Sequence, residues 1–181
     1  MKTPSEDTIT KELVERLGKR WEGCRLSAKT PVLYSMTIDD DGQVRMGVGE
    51  EEGEVIRGVG KGFEQDILLW EHRENADTSV VPRVAVEVKF RHVTTHDVLV
   101  YSEKARRIRA IYPYIRVGLL LIGFASIPPR VLRLGEHFDF IHVLPYPTPK
   151  TQERHLRELL LSELKYCSDN AAMIGAAGRH G

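Results

Sequence analysis

Residues 84–90 read Val-Ala-Val-Glu-Val-Lys-Phe, and the alternation of this run constrains the chain more than any other stretch. A strand sends Val84, Val86, Val88 and Phe90 to one face and leaves Glu87 and Lys89 together on the other. A β-branched run of this kind belongs in a buried strand. A carboxylate or an ammonium there is costly unless it has a partner or a metal ion, so the run carries a first hint of chemistry. Residues 63–70 (Phe-Glu-Gln-Asp-Ile-Leu-Leu-Trp) form a second strand with Asp66 in its middle. The polar residues 74–79 make the turn between the two, and Pro82 opens the Glu87 strand. The two strands are expected to be antiparallel neighbours, which brings Asp66 towards Glu87 at one end of a sheet in a register left open.

The elements on either side give the order of the fold. Thr3-Pro4-Ser5-Glu6 reads as a capping box with proline at the first helical position. The helix that follows carries Ile9, Leu13, Leu17 and Trp21 on one stripe and ends near Gly23. Residues 31–38 read as a strand, and Asp40-Asp41-Gly42 as a hairpin turn into residues 43–48. The triplet Asp39-Asp40-Asp41 is better explained by that turn than by a cation. Residues 47–62 are rich in Gly and Glu and read as a loop or loosely paired edge. Gly58-Val59-Gly60-Lys61-Gly62 is no phosphate loop, because Val55 and Gly62 stand where glycine and Ser or Thr are required.

Thr94 or Thr95 caps a helix over residues 96–112, with Val98, Tyr101, Ala105, Ile108 and Tyr112 at helical spacing and Pro113 as its stop. Residues 116–124 form an almost wholly apolar strand, so strand, helix and strand from Glu87 onward make a βαβ crossover with parallel strands. A short helix from Pro128-Pro129 to Leu134 and a strand over residues 138–144 follow. Thr148-Pro149 then caps a last helix with Leu156, Leu159, Leu160 and Leu164 buried. Residues 1–170 are expected to make one domain, and residues 171–181 a frayed tail.

Composition sets outer bounds. A chain of 181 residues with 41% hydrophobic content can build a core without staples. Cys24 and Cys167 show no disulfide or metal spacing and read as free thiols. Residues 1–9 are polar and lack a signal-peptide core, and residues 117–125 are too short an apolar run to cross a bilayer, so a cytoplasmic protein is expected. The net charge of zero argues against a general nucleic-acid glue. Its distribution is uneven: residues 1–80 carry 11 Lys and Arg against 17 Asp and Glu, and the remainder reverse that excess. The basic second half could line a groove for a phosphate backbone or be a solvated helix face. His92 and His96 flank the helix cap and share no face for a metal. Ser-His-Asp and Cys-His arrangements leave no local signature.

Gln65-Asp66 on one strand and Glu87-Val88-Lys89 on the next, followed by a capped helix and a buried strand, resemble the PD-(D/E)XK nuclease superfamily. In architecture the resemblance covers residues 3–144. It implies a restriction-endonuclease-like three-layer α/β/α core with a mixed central sheet in the order α-β-β-β-α-β, plus an N-terminal hairpin and a C-terminal helix. Gln65 stands where the motif's proline usually lies. Some members add a glutamate from the first helix, for which Glu12 or Glu15 could serve, Glu12 being preferred. Some carry a polar residue and a tyrosine four apart on the following helix, as Asp97 and Tyr101 are.

Physical chemistry supports the trio independently. Phosphodiester hydrolysis needs the charge on the phosphoryl oxygens neutralised, which a hard divalent ion on two carboxylates does. Asp66 and Glu87 would be those ligands, with the carbonyl of Val88 and several waters completing the sphere of Mg²⁺, for which Mn²⁺ could substitute. Lys89 would orient the attacking water or stabilise the pentavalent phosphate. Arg91, Lys104 and Arg107 are candidates for holding DNA, and cutting both strands would favour a homodimer. The resulting expectation is a metal-dependent endonuclease acting on DNA. The alternative is a non-catalytic nucleic-acid- or protein-binding module retaining the fold, and the plainest explanation of Glu87 and Lys89 is a surface ion pair.

Overall fold

The computed structural model describes residues 4–18, 20–21, 23–32, 36–38, 44–46, 63–72 and 80–177. Helix α1 (Glu6–Leu17) is followed by β1 (Arg20–Trp21), β2 (Cys24–Val32), β3 (Met36–Ile38), β4 (Val44–Met46), β5 (Phe63–His72) and β6 (Val80–Phe90). Then come α2 (Thr95–Ile111), β7 (Arg116–Ile122), α3 (Pro129–Leu134), β8 (Phe140–Leu144) and α4 (Lys150–Ala177). Six strands form one mixed sheet in the order β1-β2-β5-β6-β7-β8, and β3 and β4 form a separate antiparallel pair. As expected, β5 and β6 are antiparallel and β6 and β7 are parallel.

The valine alternation of β6 sorts the layers. Val84, Val86 and Val88 pack with Ile67 and Leu69 of β5 against Ile9 and Leu13 of α1 and Leu156 and Leu160 of α4. On the opposite face Leu68 and Ala85 meet Ala105 and Ile108 of α2, while Leu119 and Leu121 meet Val98 of α2 and Val131 of α3. Helices therefore cover both faces of the sheet, and Glu87 and Lys89 point to the α2 side.

Several boundaries differ from expectation. Ser5, not Thr3, is the N-cap of α1: its Oγ accepts from the Thr8 amide at 3.2 Å. Glu6 is thus the first helical residue rather than the third, and its carboxylate is free to reach elsewhere. The helix stops at Leu17 because Gly18, at φ +83°, turns the chain and returns its N–H to Val14 and Glu15. Trp21 is therefore in β1, although it still joins the α1 core. The expected strand over residues 31–38 is split between β2 and β3, and β7 and β8 are shorter than their apolar runs. The expected turn at residues 40–42, the loop over 47–62 and the turn over 74–79 lie outside the described residues. The segment expected to fray instead continues α4 to Ala177. Cys24 and Cys167 are free and buried. Among the described residues no helix is long and apolar enough to cross a membrane.

Candidate functional site

The site is a fork in the sheet. From Ile67↔Val86 towards the turn, β5 and β6 are paired, but beyond that point β5 stays with β2 through Val32↔Phe63. Strand β6 stays with β7 as far as Phe90↔Ile122. The two central strands therefore part, leaving one edge of β6 without a strand partner, and its buried N–H groups still need acceptors. Side chains supply them. Val88 donates its N–H to Asp66 Oδ2 at 2.8 Å, and Phe90 donates to Glu6 Oε2 at 3.0 Å. A strand residue presents its N–H and C=O to the same edge, so the Val88 carbonyl also lies on the fork side.

Each acid in the fork is matched by a lysine. Asp66, 7% exposed, accepts from Lys29 Nζ on Oδ1 at 2.6 Å. Glu87, 3% exposed, is bonded by Lys104, whose ammonium also donates to the Glu64 carbonyl at 2.6 Å. Lys89 pairs with Glu6 Oε1 at 3.2 Å and lies 4.8 Å above the Tyr101 ring. Burial pushes the Glu87 carboxyl up to about 7; Lys104 opposes the rise and the negative charge of Asp66 adds to it. Burial acts to lower the Lys89 pKa, but Tyr101 and the Glu6 carboxylate outweigh it and hold the ammonium above its ordinary value.

The structure thus brings together Asp66, Glu87, Val88, Lys89 and Tyr101 from the expected set. Other candidates have different work. Glu12 is exposed on α1 and lies 3.9 Å from Arg16, and Glu15 is also exposed. Glu6, one turn or more nearer the N-terminus, reaches the fork in their place. The Asp97 carboxylate closes the α2 capping box, accepting from the Thr94 amide at 2.7 Å and its hydroxyl at 2.8 Å. Lys104 is a partner of Glu87 rather than an exposed phosphate contact. Arg107 pairs with Glu103 at 2.9 Å. Arg91, at φ +58°, lays its guanidinium over Phe90 and Tyr146 at the end of β6. Arg109 and Arg116 are tied to Asp139, and Arg116 also to Glu163, so these basic residues hold structure together.

Sequence reasoning missed Glu6 and Lys29. Glu6 had a sufficient local explanation as a helix-cap residue. Lys29 is an unremarked lysine in an edgeward strand, and its only signal is conformational: φ is +54° where the β2 ladder skips from Ala28↔Ile67 to Thr30↔Gln65. Beside the fork Phe63, His96, Leu99, Val100, Tyr101 and Lys104 line an open groove of about 640 Å³.

Two buried carboxylates and a main-chain carbonyl on one edge are hard oxygen donors of the kind Mg²⁺ accepts while keeping several waters. Among the described residues no three His, Cys, Asp or Glu side chains gather as a metal-ligating group, so such an ion would rest on these two side chains. Comparison of the chain with protein-family models, curated proteins and solved structures finds no match.

Proposed function

We propose that this protein is a divalent-metal-dependent nuclease of the PD-(D/E)XK type that hydrolyses DNA phosphodiesters internally, acting in the cytoplasm. The observation that carries the reading is the fork, where the parting of β5 and β6 leaves Asp66, Glu87 and Lys89 around one strand edge that no neighbouring strand pairs. Asp66 and Glu87, with the Val88 carbonyl, would hold Mg²⁺ or Mn²⁺. The ion supplies charge neutralisation at the phosphoryl oxygens and a more acidic bound water. The remaining roles fall to side chains. Glu6 and Tyr101 restrict the Lys89 ammonium to the mouth of the fork and keep it protonated, so it can orient the attacking water or stabilise the equatorial oxygens. The groove along α2, lined in part by Arg107, would offer the adjoining strand a partly apolar bed, and Arg107 and Arg91 would be its phosphate contacts. Cutting both strands would call for a homodimer.

The test uses the full chain with supercoiled and single-stranded DNA in Mg²⁺ or Mn²⁺. Glu87→Gln and Lys89→Met should each lower cleavage by about 100-fold or more with circular dichroism unchanged. Full cleavage by both variants overturns the reading. A second reading is favoured by the lysine on each acid, which leaves no carboxylate of the fork unpartnered without an ion. On that reading the chain is a non-catalytic binding module, and titration calorimetry would register no uptake of Mg²⁺ or Mn²⁺ at millimolar levels.

A further inference from the structure

Lys29 touches more acids than its neighbours in the fork. Its Nζ lies 2.6 Å from Asp66 Oδ1, 2.8 Å from Asp7 Oδ1 and 3.6 Å from Glu64 Oε1. The three acids differ in kind. The Asp66 side chain is 10% exposed, whereas those of Asp7 and Glu64 are each 61% exposed. Two of the three are therefore in solvent and could keep the ammonium company if the buried one were taken by something else.

The backbone is left-handed at the residue that makes this contact. Lys29 stands opposite Asp66, at the one position between Ala28↔Ile67 and Thr30↔Gln65 where the β2–β5 ladder is interrupted, and it adopts φ +54°. A lysine gains nothing intrinsic from that conformation, which costs on the order of 1 kcal/mol or more outside glycine. The contact also completes the coordination of Asp66. Its Oδ2 accepts the Val88 N–H, so Oδ1 is the oxygen through which Asp66 would most readily meet an ion, and Lys29 is on it.

We infer that Lys29 is a tethered counter-ion of the metal site, which holds the Asp66 carboxylate in place without a metal and is released to Asp7 and Glu64 when a divalent cation binds. This role rests on the metal-dependent reading of the fork. It makes Lys29 a positioning residue with a defined cost: the cation must displace one ammonium from Asp66 Oδ1, and the exposed acids reduce that cost by accepting it. Burial acts to lower the Lys29 pKa, but its hydrogen bonds to Asp66 and Asp7 outweigh this and hold it above the ordinary lysine value, so it is a full positive charge at neutral pH. Lys104 is less suited to the exchange, since its second acceptor is the main-chain carbonyl of Glu64 rather than a free carboxylate.

Titration calorimetry with Mn²⁺ and with Mg²⁺, together with the paramagnetic signal of free Mn²⁺, tests this on the full chain. Lys29→Met and Lys29→Gly should each bind Mn²⁺ about five- to tenfold more tightly than the wild type, the scale of one part-buried ion pair. The glycine variant tolerates φ +54°, so it keeps the test valid if methionine disturbs β2. Asp7→Asn combined with Glu64→Gln should weaken Mn²⁺ binding, because the displaced ammonium loses its acceptors. Binding that appears in the Lys29 variants alone also supports the role. If the wild type binds Mn²⁺ and neither Lys29 variant binds it more tightly, the counter-ion role is overturned and the metal site stands. If no protein of the set binds either ion, both fall.

Discussion

Glu87 combines a nearly complete loss of solvent with a charged neighbour of each sign, and its protonation is linked to folding. Burial raises its carboxyl from 4.5 to about 7, with Asp66 adding to the rise and Lys104 opposing it. Between those two values the folded chain holds the proton that the unfolded chain releases, so this group's contribution to stability is present below pH 4.5 and lost as pH rises through 7. In metal-free buffer, wild-type stability should therefore fall relative to Glu87→Gln between pH 5 and pH 8, by up to roughly 3 kcal/mol. Urea denaturation of the two proteins at both pH values measures the difference, and parallel curves would refute it. Glu87 and Lys89 were legible in the sequence because strand alternation is local and a charged pair on a valine strand stands out. Glu6 and Lys29 were not, because each meets the site through a partner more than 35 residues away and neither breaks a local pattern.

At the scale of elements, the β7–β8 pair is fitted around one glycine. Gly118 lies opposite Phe140, and a Cβ added there would come within 2.2 Å of the Phe140 ring. Gly118→Ala should cost about 1–3 kcal/mol in chemical denaturation, and adding Phe140→Leu should recover much of it. Failure of the second change to help would mean the strain lies elsewhere. Helix α2 shows what local chemistry can specify: a threonine cap and the stop at Pro113 are legible in the sequence, whereas the choice of Thr94 over Thr95 and the part of Asp97 in the capping box emerge only in the structure. Helix α1 shows the limit, because Thr3 and Ser5 both make acceptable caps by sequence and the structure uses Ser5. The fork itself is invisible in any one segment. It arises because β2 draws β5 away while β7 keeps β6, a competition among strands that no periodicity records.

Across the whole molecule, the charges of the basic half are used largely within it, among the described residues: Lys104 meets Glu87, and Arg109 and Arg116 meet Asp139, while few pairs join the two halves. Glu6 meets Lys89, and Arg16 meets Glu153 at 2.6 Å. A basic second half therefore suggested a larger free cationic surface than the fold leaves. The βαβ crossover was readable from its order, whereas the insertion of β2 between β1 and β5 was not, since pairing between strands so far apart in sequence leaves no local signal. The 28 residues of α4 make a helix of about 42 Å, and its buried positions end at Cys167. A chain ending at Asn170 should keep its melting temperature within about 2 °C while losing helical signal. A larger drop would show that residues beyond 170 stabilise the fold.

Arg157 donates to the Leu17 carbonyl at 2.7 Å, and Leu156 and Leu160 share one core with Ile9 and Leu13. Helix α1, which carries Glu6 to the mouth of the fork, is thus seated partly by α4. During translation α1 is made before α4. The Glu6 arm of the fork gains its full support only after α4 has left the ribosome, so a nascent chain carries every strand of the site before it carries the finished site.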